Sequence, residues 1–173
     1  PDGEPLGWSL FARLVRESPA PHACWMVSAD GRGCLVGNSP ERFLRVDPAG
    51  WVETRPIKGT RPVDTDGRGA AELAAAAKDN AEHAMIVDLE RNDLGRVCRT
   101  GSVEVVGAAR VLTLPTVYHL VSTVRGRLTP GTDLPRLIGA TFPVGSVTGA
   151  PKLRAMEIIA ELEPARRGPY TGA

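Results

Sequence analysis

The sequence predicts an α+β fold, and three observations support this prediction. Residues 23–57 contain short apolar and β-branched runs separated by turn residues, which is typical of strands. Residues 69–97 form an alanine-rich stretch without proline, which is typical of helix. Strand-like runs return at residues 103–128. Because strands and helices follow one another in blocks, the order favours α+β over a repeating βαβ unit.

The N-terminal half is predicted to be one helix followed by an antiparallel meander. Apolar residues recur at helical spacing within residues 7–17, so this segment is predicted to be helical. Turn residues divide the next segment into four short strands. The predicted strands cover residues 23–28, 34–37, 42–46 and 51–57.

The C-terminal half is predicted to contain further helices and strands. Residues 69–97 suit one long helix or two helices in series. The last predicted helix has Pro151 in its first turn, where a missing N–H costs nothing. The predicted strands cover residues 103–106, 110–114 and 117–128, and the last two predicted helices cover residues 133–142 and 150–162.

The composition limits the class of partner and the cellular compartment. Hydrophobic residues make up 42% of the 173 residues, which suffices for one sizeable core. Lysine and arginine total 21 against 20 acidic residues, so charge gives no reason to expect a nucleic acid or an anionic membrane as partner. No apolar run approaches the length of a membrane span, and the N-terminus lacks the pattern of a signal peptide. Cys24, Cys34 and Cys98 are too widely spaced for a disulfide framework or a thiolate metal site, so we expect the reducing cytosol.

Both ends of the chain look cut. The chain begins at Pro1 without a methionine, and its last four residues contain no helix cap or stop. We therefore expect residues 1–173 to form a single domain that is truncated at both ends.

Two polar positions near strand ends are candidates for chemistry. Strand alternation would set Glu41 on the same face as Phe43, and a carboxylate on an apolar face needs a partner or a function. Lys58 precedes Gly59, whose missing side chain permits close approach of a ligand. Lys58 could act as a nucleophile only if it were desolvated or placed near another cation. A solvated strand-end glutamate and an ordinary surface lysine are the alternatives, and both stay open on the sequence.

The predicted long helix contains one carboxylate within an apolar stripe. The stripe consists of Glu82, Met85, Ile86 and Leu89, which recur at helical spacing. A single carboxylate that faces a cavity suits an oxygen-preferring ion such as magnesium, with other ligands supplied from elsewhere. The neighbouring His83 points to another face, so the pair is not a zinc motif.

A glycine-rich segment at residues 145–152 leads into the last predicted helix. The free N–H groups and the positive end of a helix dipole suit a carboxylate or a phosphate. The segment is not a Walker A loop, because the Gly-Lys-Ser/Thr ending is absent. An ordinary helix start with Thr148 near the N-cap is the alternative. On a nearby predicted strand, His119 alternates with Val117 and Val121, where it is either a satisfied core histidine or a base.

Five motifs resemble the chorismate-utilising enzymes in order and spacing, and the resemblance covers nearly the whole chain. This family includes the large subunits of anthranilate and aminodeoxychorismate synthases and the isochorismate and salicylate synthases. The motifs are Ser-Pro-Glu-Arg-Phe at residues 39–43, Pro-Ile-Lys-Gly-Thr at 56–60, Ala-Glu-His-Ala-Met-Ile-Val-Asp-Leu with Arg-Asn-Asp at 81–93, His-Leu-Val-Ser at 119–122 and Ser-Val-Thr-Gly-Ala-Pro-Lys at 146–152.

The resemblance implies a core of two packed, mainly antiparallel sheets with helices outside. It also implies a magnesium ion that holds the ring carboxylate of chorismate, with Glu82 as one ligand. Glu41 would be the acid that helps the 4-hydroxyl leave, and His119 would lie beside the ring. The residues that would line the substrate carboxylate are Gly59, Thr60, Ser146 and Gly149.

Position 58 points to one branch of the family. Lys58 stands where the anthranilate, isochorismate and salicylate branches usually carry alanine, and its motif resembles the aminodeoxychorismate branch. The resemblance implies that Lys58 attacks C2 of chorismate and forms a covalent intermediate, which ammonia displaces by adding at C4. The product would be 4-amino-4-deoxychorismate, on the route to para-aminobenzoate and folate. A glutamine amidotransferase, separate or fused, would supply the ammonia.

The resemblance also implies segments beyond this chain. Family members continue with a substrate-binding arginine, a glycine-rich turn and a second glutamate ligand for magnesium, and they begin with a region that contains a tryptophan pocket. We therefore expect this chain to be inactive or poorly folded by itself.

The main alternative function is that of an anthranilate synthase large subunit, which would share every motif except Lys58. A non-catalytic interaction or nucleic-acid module is the alternative from another class, and the near-neutral charge and the absence of stacked aromatics argue against it.

Overall fold

A computed structural model describes residues 4–169 of the chain. Blocks of antiparallel strands alternate with blocks of helices along the chain, which confirms the predicted α+β class. The chain divides into two compact units. The first contains the described residues up to Arg42 together with Pro169, and the second is Phe43–Gly168.

The first unit contains one helix and one hairpin, as predicted. Its elements are α1 (Trp8–Glu17), β1 (His22–Val27) and β2 (Cys34–Ser39). The two strands pair antiparallel from His22 opposite Ser39 to Val27 opposite Cys34. Trp25 packs edge-on against Trp8 with ring centroids 5.3 Å apart, and its indole N–H donates to the carbonyl of Leu6 over 2.8 Å. These aromatic contacts hold α1 against the hairpin.

The second unit contains two sheets. Its strands are β3 (Arg42–Val46), β4 (Trp51–Arg55), β5 (Ile57–Pro62), β6 (Glu104–Val105), β7 (Arg110–Thr113), β8 (Val117–Val121) and β9 (Val124–Arg127). One sheet has the order β3-β4-β9-β6 and the other the order β5-β8-β7. Pairing is antiparallel between β4 and β9, β6 and β9, β5 and β8, and β7 and β8.

The predicted single meander is wrong beyond β2. The strand predicted at residues 51–57 is divided at Pro56 into β4 and β5, which lie in different sheets. Pro56 has no N–H and therefore interrupts the ladder, while its carbonyl accepts a hydrogen bond from the N–H of Ser122 over 3.3 Å. This division separates the strand that contains Lys58 from the larger sheet.

Two helices in series occupy the alanine-rich segment, which is one of the two predicted arrangements. They are α2 (Arg68–Ala75) and α3 (Ala77–Gly95). The chain becomes extended at Ala76, and Asn80 donates its side-chain amide to the carbonyls of Ala74 and Ala76 over 3.0 Å each. Asn80 thereby satisfies carbonyls at the end of α2 that have no partner within the helix.

The buried face of α3 is largely polar, and the predicted apolar stripe is wrong. Glu82 is exposed, Met85 is 47% exposed, and Leu89 is half-buried. Hydrophobic spacing cannot reveal a helix whose buried positions are polar residues that find partners in other elements. The buried residues of α3 are His83, Ile86, Glu90, Asp93 and Leu94.

The C-terminal helices are shorter than predicted at their starts. They are α4 (Leu134–Thr141), α5 (Gly145–Thr148) and α6 (Lys152–Leu162). Asp133 caps α4 by accepting a hydrogen bond from the N–H of Arg136 over 2.9 Å. Pro151 is the N-cap residue of α6 and does not lie in its first turn, which corrects the prediction.

Two apolar clusters form the core of the second unit. The first joins Val52 and Val124 of the larger sheet to Leu94 of α3 and Leu137 of α4. The second joins Leu73 of α2 to Tyr118 and Leu120 of β8. Complete burial of a leucine contributes about 1.5–3 kcal/mol, so the second cluster fixes β8 and its partner β5 beneath α2.

Within residues 4–169, no helix combines the length and the apolar character that crossing a membrane requires.

Candidate active site

Four predicted site residues lie together on β5 and β8, and we call them the Lys58 cluster: Lys58, Gly59, Thr60 and His119. In the antiparallel pair, Lys58 lies opposite Leu120 and Thr60 lies opposite His119. The register shifts between Lys58 and Thr60, so Gly59 is the extra residue of a β-bulge. Lys58 is half-buried and lies on the same face of the pair as Leu120, whereas Thr60 lies on the face of His119.

His119 is fixed by two contacts within the Lys58 cluster. Its Nδ1 lies 3.1 Å from the carbonyl oxygen of Gly59 and 3.1 Å from the Oγ1 of Thr60. A carbonyl oxygen only accepts, so the neutral ring has its proton on Nδ1 and its basic lone pair on Nε2. The half-buried ring is therefore held in the tautomer that a base at Nε2 requires, and the two contacts also satisfy a core histidine.

Gly59 is required by packing as well as by the bulge. Its φ of 67° lies in the left-handed region, and a Cβ there would lie 2.6 Å from Cδ1 of Leu73 and 3.2 Å from Cβ of Asp79. Asp79 also accepts a hydrogen bond from Arg61 over 3.0 Å, which fastens β5 to the first turn of α3. The close approach at Gly59 is thus made by the protein's own helices.

His83 lies near Lys58, and the sequence analysis gave it no role in the site. Its Nε2 lies 2.6 Å from the Oγ of Ser122, which in turn accepts the N–H of Ala109 over 2.9 Å. His83 is 2% exposed, and its Nδ1 has no hydrogen-bond partner among the described residues. Burial lowers the pKa of His83, and the positive charge of Lys58 lowers it further. The imidazole is therefore neutral, and Lys58 is close enough for its charge to act on it.

The sequence contains one indication of this second histidine. His83 and Ser122 belong to two different motifs of the resemblance, at residues 81–93 and 119–122. A polar residue from each motif is buried in the structure, and contact between the motifs gives Nε2 of His83 and the hydroxyl of Ser122 a partner.

Glu82 lies on the exposed side of α3. Its side chain is 48% exposed and lies 3.8 Å from the ammonium of Lys78, one turn earlier. Among residues 4–169, no group of three or more histidine, cysteine, aspartate or glutamate side chains is arranged to hold a metal ion. Glu82 can offer one carboxylate to a magnesium ion, and the described residues do not complete a site around it.

Ser146 and Gly149 lie in or beside α5 rather than in a simple turn. Gly149 follows α5 with a φ of 108°, which only glycine adopts without strain. Thr148 is the last residue of α5, and its hydroxyl donates to the carbonyl of Val144 over 3.4 Å. The alternative that placed Thr148 at the N-cap of the last helix is therefore wrong, because Pro151 holds that position.

Glu41 belongs to the first unit and lies one residue before β3. Strand alternation therefore does not set its direction, contrary to the prediction. The residue is half-buried, and its backbone N–H donates to the Oγ of Ser39 over 3.2 Å. Its carboxylate stays a predicted acid.

The Lys58 cluster can support nucleophilic chemistry. It brings a half-buried primary amine to one face of the β5–β8 pair, near the neutral imidazole of His83, while the hydroxyl of Thr60 and the imidazole of His119 lie together on the other face. A lysine that is partly removed from water beside basic groups suits attack on an electrophilic carbon.

Comparisons with known proteins identify the family. Residues 5–173 match the family described as chorismate binding enzyme. An aminodeoxychorismate synthase of Streptomyces pristinaespiralis is 52% identical over 169 residues, which are 95% of this chain and 23% of that protein. An anthranilate synthase component 1 of Haloarcula marismortui is 50% identical over 167 residues, which are 94% of this chain and 34% of that protein.

A solved structure also has a similar fold. The crystal structure of anthranilate synthase component I from Streptococcus pneumoniae aligns with a TM-score of 0.82 and 39% identity, over 94% of this chain and 36% of that one. The chain thus spans about a quarter to a third of the length of these proteins. Because the family match extends over nearly every residue, the chain belongs to the chorismate binding enzymes.

Proposed function

We propose that this chain is the part of an aminodeoxychorismate synthase that contains the attacking lysine. The reaction would convert chorismate and ammonia to 4-amino-4-deoxychorismate. The observation that carries the proposal is Lys58, which lies half-buried next to the β-bulge at Gly59. The relative from Streptomyces pristinaespiralis, which is named for this activity, supports the assignment.

In the proposed mechanism, bond breaking and bond making balance in two steps. The neutral amine of Lys58 forms a bond to C2 of chorismate, both ring double bonds shift from C1=C2 and C5=C6 to C1=C6 and C4=C5, and the C4–O bond breaks. Glu41 donates a proton so that the leaving group departs as water. Ammonia then forms a bond to C4, both double bonds shift back to C1=C2 and C5=C6, and the C2–N bond to Lys58 breaks.

The second candidate is the first component of an anthranilate synthase. The 50% identity to the Haloarcula marismortui relative favours it, because that protein is named for this activity. The two candidates share the predicted substrate and differ in product. A lysine at position 58 argues for the first candidate, since the anthranilate branch that this chain resembles usually carries alanine there.

Product analysis tests the proposal. The test uses the full-length protein, by which we mean these residues within a chain of the relatives' length. With chorismate and ammonia at alkaline pH, we expect 4-amino-4-deoxychorismate by chromatography and mass spectrometry. Formation of anthranilate would establish the second candidate, and unchanged chorismate would contradict both.

A glutamine amidotransferase is the proposed partner. The cytosol is the proposed location of this chain and of that partner. The name "component 1" of the Haloarcula marismortui relative fits an enzyme with a second component. We expect the full-length protein without an amidotransferase to use ammonia and not glutamine. Glutamine-dependent turnover without the partner would contradict this proposal.

Magnesium is the proposed cofactor, with Glu82 as the proposed ligand within residues 4–169. The exposed carboxylate is accessible to an ion, because its ion pair with Lys78 is also exposed. When bound, the ion would neutralise the ring carboxylate of the substrate. Substitution Glu82→Gln should raise the magnesium concentration for half-maximal chorismate binding and turnover about tenfold or more, because a carboxylate ligand is lost.

A matched variant controls for a general effect on α3. Asp88 lies on the same helix, and its carboxylate is exposed and paired with Arg91 at 3.2 Å. Substitution Asp88→Asn should leave the magnesium titration unchanged. Equal titrations for Glu82→Gln and the parent protein would remove Glu82 from the proposed site.

A further inference from the structure

A buried ion pair joins α3 to the first residue of α6. The ammonium of Lys152 donates to the carboxylate of Asp93 and to the carbonyl oxygen of Thr141 over 3.2 Å. The side chains of Lys152 and Asp93 are 12% and 9% exposed. Asp93 lies in α3 and Thr141 lies in α4, so Lys152 of α6 connects three helices at one point.

These contacts close a loop. Thr141 is the last residue of α4 and Lys152 is the first of α6, so the hydrogen bond between them joins the two ends of residues 142–151. A compact loop of this length with adjoining ends is an Ω-loop. The loop contains Ser146 and Gly149, which the family resemblance predicts to line the carboxylate of the proposed substrate.

A second contact fastens the same loop to the same helix. Gly145 is buried, and a Cβ at this position would lie 2.9 Å from Cδ1 and 3.1 Å from Cβ of Leu89 in α3. The backbone of the loop therefore rests directly on Leu89. One turn further along α3, Asp93 holds the end of the loop through Lys152.

Stability alone does not explain the ion pair. Removing two charges from water costs several kcal/mol per ion, and apolar residues of similar volume often serve a fold equally well. Burial raises the pKa of Asp93 despite the opposing effect of Lys152, so the carboxylate is not in an environment that favours its charge overall. What the pair provides is a single geometry for the loop, since the ammonium must meet a carboxylate and a carbonyl at once.

We propose that Asp93, Lys152 and Leu89 are positioning residues that fix the loop of residues 142–151 against α3. The loop then presents Ser146 and Gly149 to the carboxylate of the substrate in one arrangement. This inference rests on the proposed function for the role of the loop. None of the three residues touches the reacting atoms in this scheme, so their loss weakens substrate binding more than the chemical step.

The test compares two double variants of the full-length protein. Asp93→Asn with Lys152→Met removes both buried charges and preserves side-chain size. Its KM for chorismate should rise tenfold or more, while kcat stays within threefold of the parent value. The matched control is Arg154→Met with Glu157→Gln, which removes an exposed ion pair of 2.7 Å from the same helix α6. The control should keep the parent KM, and a parent KM in the buried-pair variant would overturn the proposal.

Hydrogen exchange separates this proposal from the proposed function. Without substrate, amides of residues 145–149 should exchange tenfold faster or more in the buried-pair variant, while amides of β8 stay unchanged. If the parent does not consume chorismate, the proposed function fails and this exchange alone decides whether the pair fixes the loop. Equal exchange in variant and parent would overturn the proposal whatever the substrate.

Rapid exchange of the β8 amides would show that the buried-pair variant does not fold. In that event a third variant tests the proposal. Substitution Gly145→Ala lifts the loop from Leu89 without touching a charge. We expect Gly145→Ala to raise the KM for chorismate as the buried-pair variant does. Where chorismate is not consumed, we expect the same increase in the exchange of the loop amides. The double variant Gly145→Ala with Leu89→Ala should return either quantity to the parent value. No change in Gly145→Ala would then overturn the proposal.

Discussion

Incubation of the full-length protein with chorismate and magnesium, without ammonia, is expected to leave a covalent adduct on Lys58. After proteolysis, the peptide with Lys58 should gain the mass of chorismate minus water. The physical reason is that the first proposed step expels water and the second cannot occur without ammonia. Only an uncharged amine attacks, so the first step requires that Lys58 has lost its ammonium proton.

The chain provides an internal control for this experiment. Lys78 is 87% exposed on α3, so its peptide should stay unmodified. Lys58→Ala should form no adduct and should lose about a hundredfold or more of its turnover with ammonia, a loss equivalent to about 2.7 kcal/mol of transition-state stabilisation. An unmodified Lys58 peptide together with normal turnover would mean that ammonia attacks chorismate directly.

Substitution Gly59→Ala is expected to destabilise the protein strongly. The loss should exceed that at a glycine which has the same φ but has free space around an added Cβ. The left-handed φ of 67° costs about 1–2 kcal/mol for a residue with a Cβ. The new methyl would also lie 2.6 Å from Cδ1 of Leu73, in a fully buried cluster, and overpacking of this kind costs about 1–3 kcal/mol more.

Gly67 is the matched control for Gly59. Its φ of 70° is nearly the same, and no atom lies within 4 Å of an added Cβ. Gly67→Ala should therefore lose only the backbone contribution. Urea denaturation of the parent and the two variants gives both free energies of unfolding, and equal losses would show that contact with Leu73 does not constrain position 59.

Several features of the fold could be predicted from local sequence. Residues 7–17 have helical spacing, and the structure has α1 at Trp8–Glu17. The strand predicted at residues 42–46 is β3. Turn residues set the ends of these segments, and the spacing of their apolar side chains sets helix or strand. Both signals can be read from the sequence without knowledge of the fold.

The candidate site could be predicted only in part. Lys58, Gly59, Thr60 and His119 were identified by motif, and the antiparallel pairing of β5 with β8 brings them together. The roles predicted for Glu41, Glu82, Ser146 and Gly149 stay predictions, because each depends on a ligand. The position of His83 near Lys58 could not be predicted from its motif, because burial of this histidine depends on a serine 39 residues away in sequence.

Sequence alone determined the family motifs, the α+β class and the lysine at position 58, where the resemblance predicts that the branches differ. Only the tertiary structure decided which polar residues are buried. His83 with Ser122 and Asp93 with Lys152 are pairs between distant segments, and each polar group tolerates burial because the other is there. Apolar periodicity reports what a segment buries by itself, whereas a buried polar pair exists only after two segments have met.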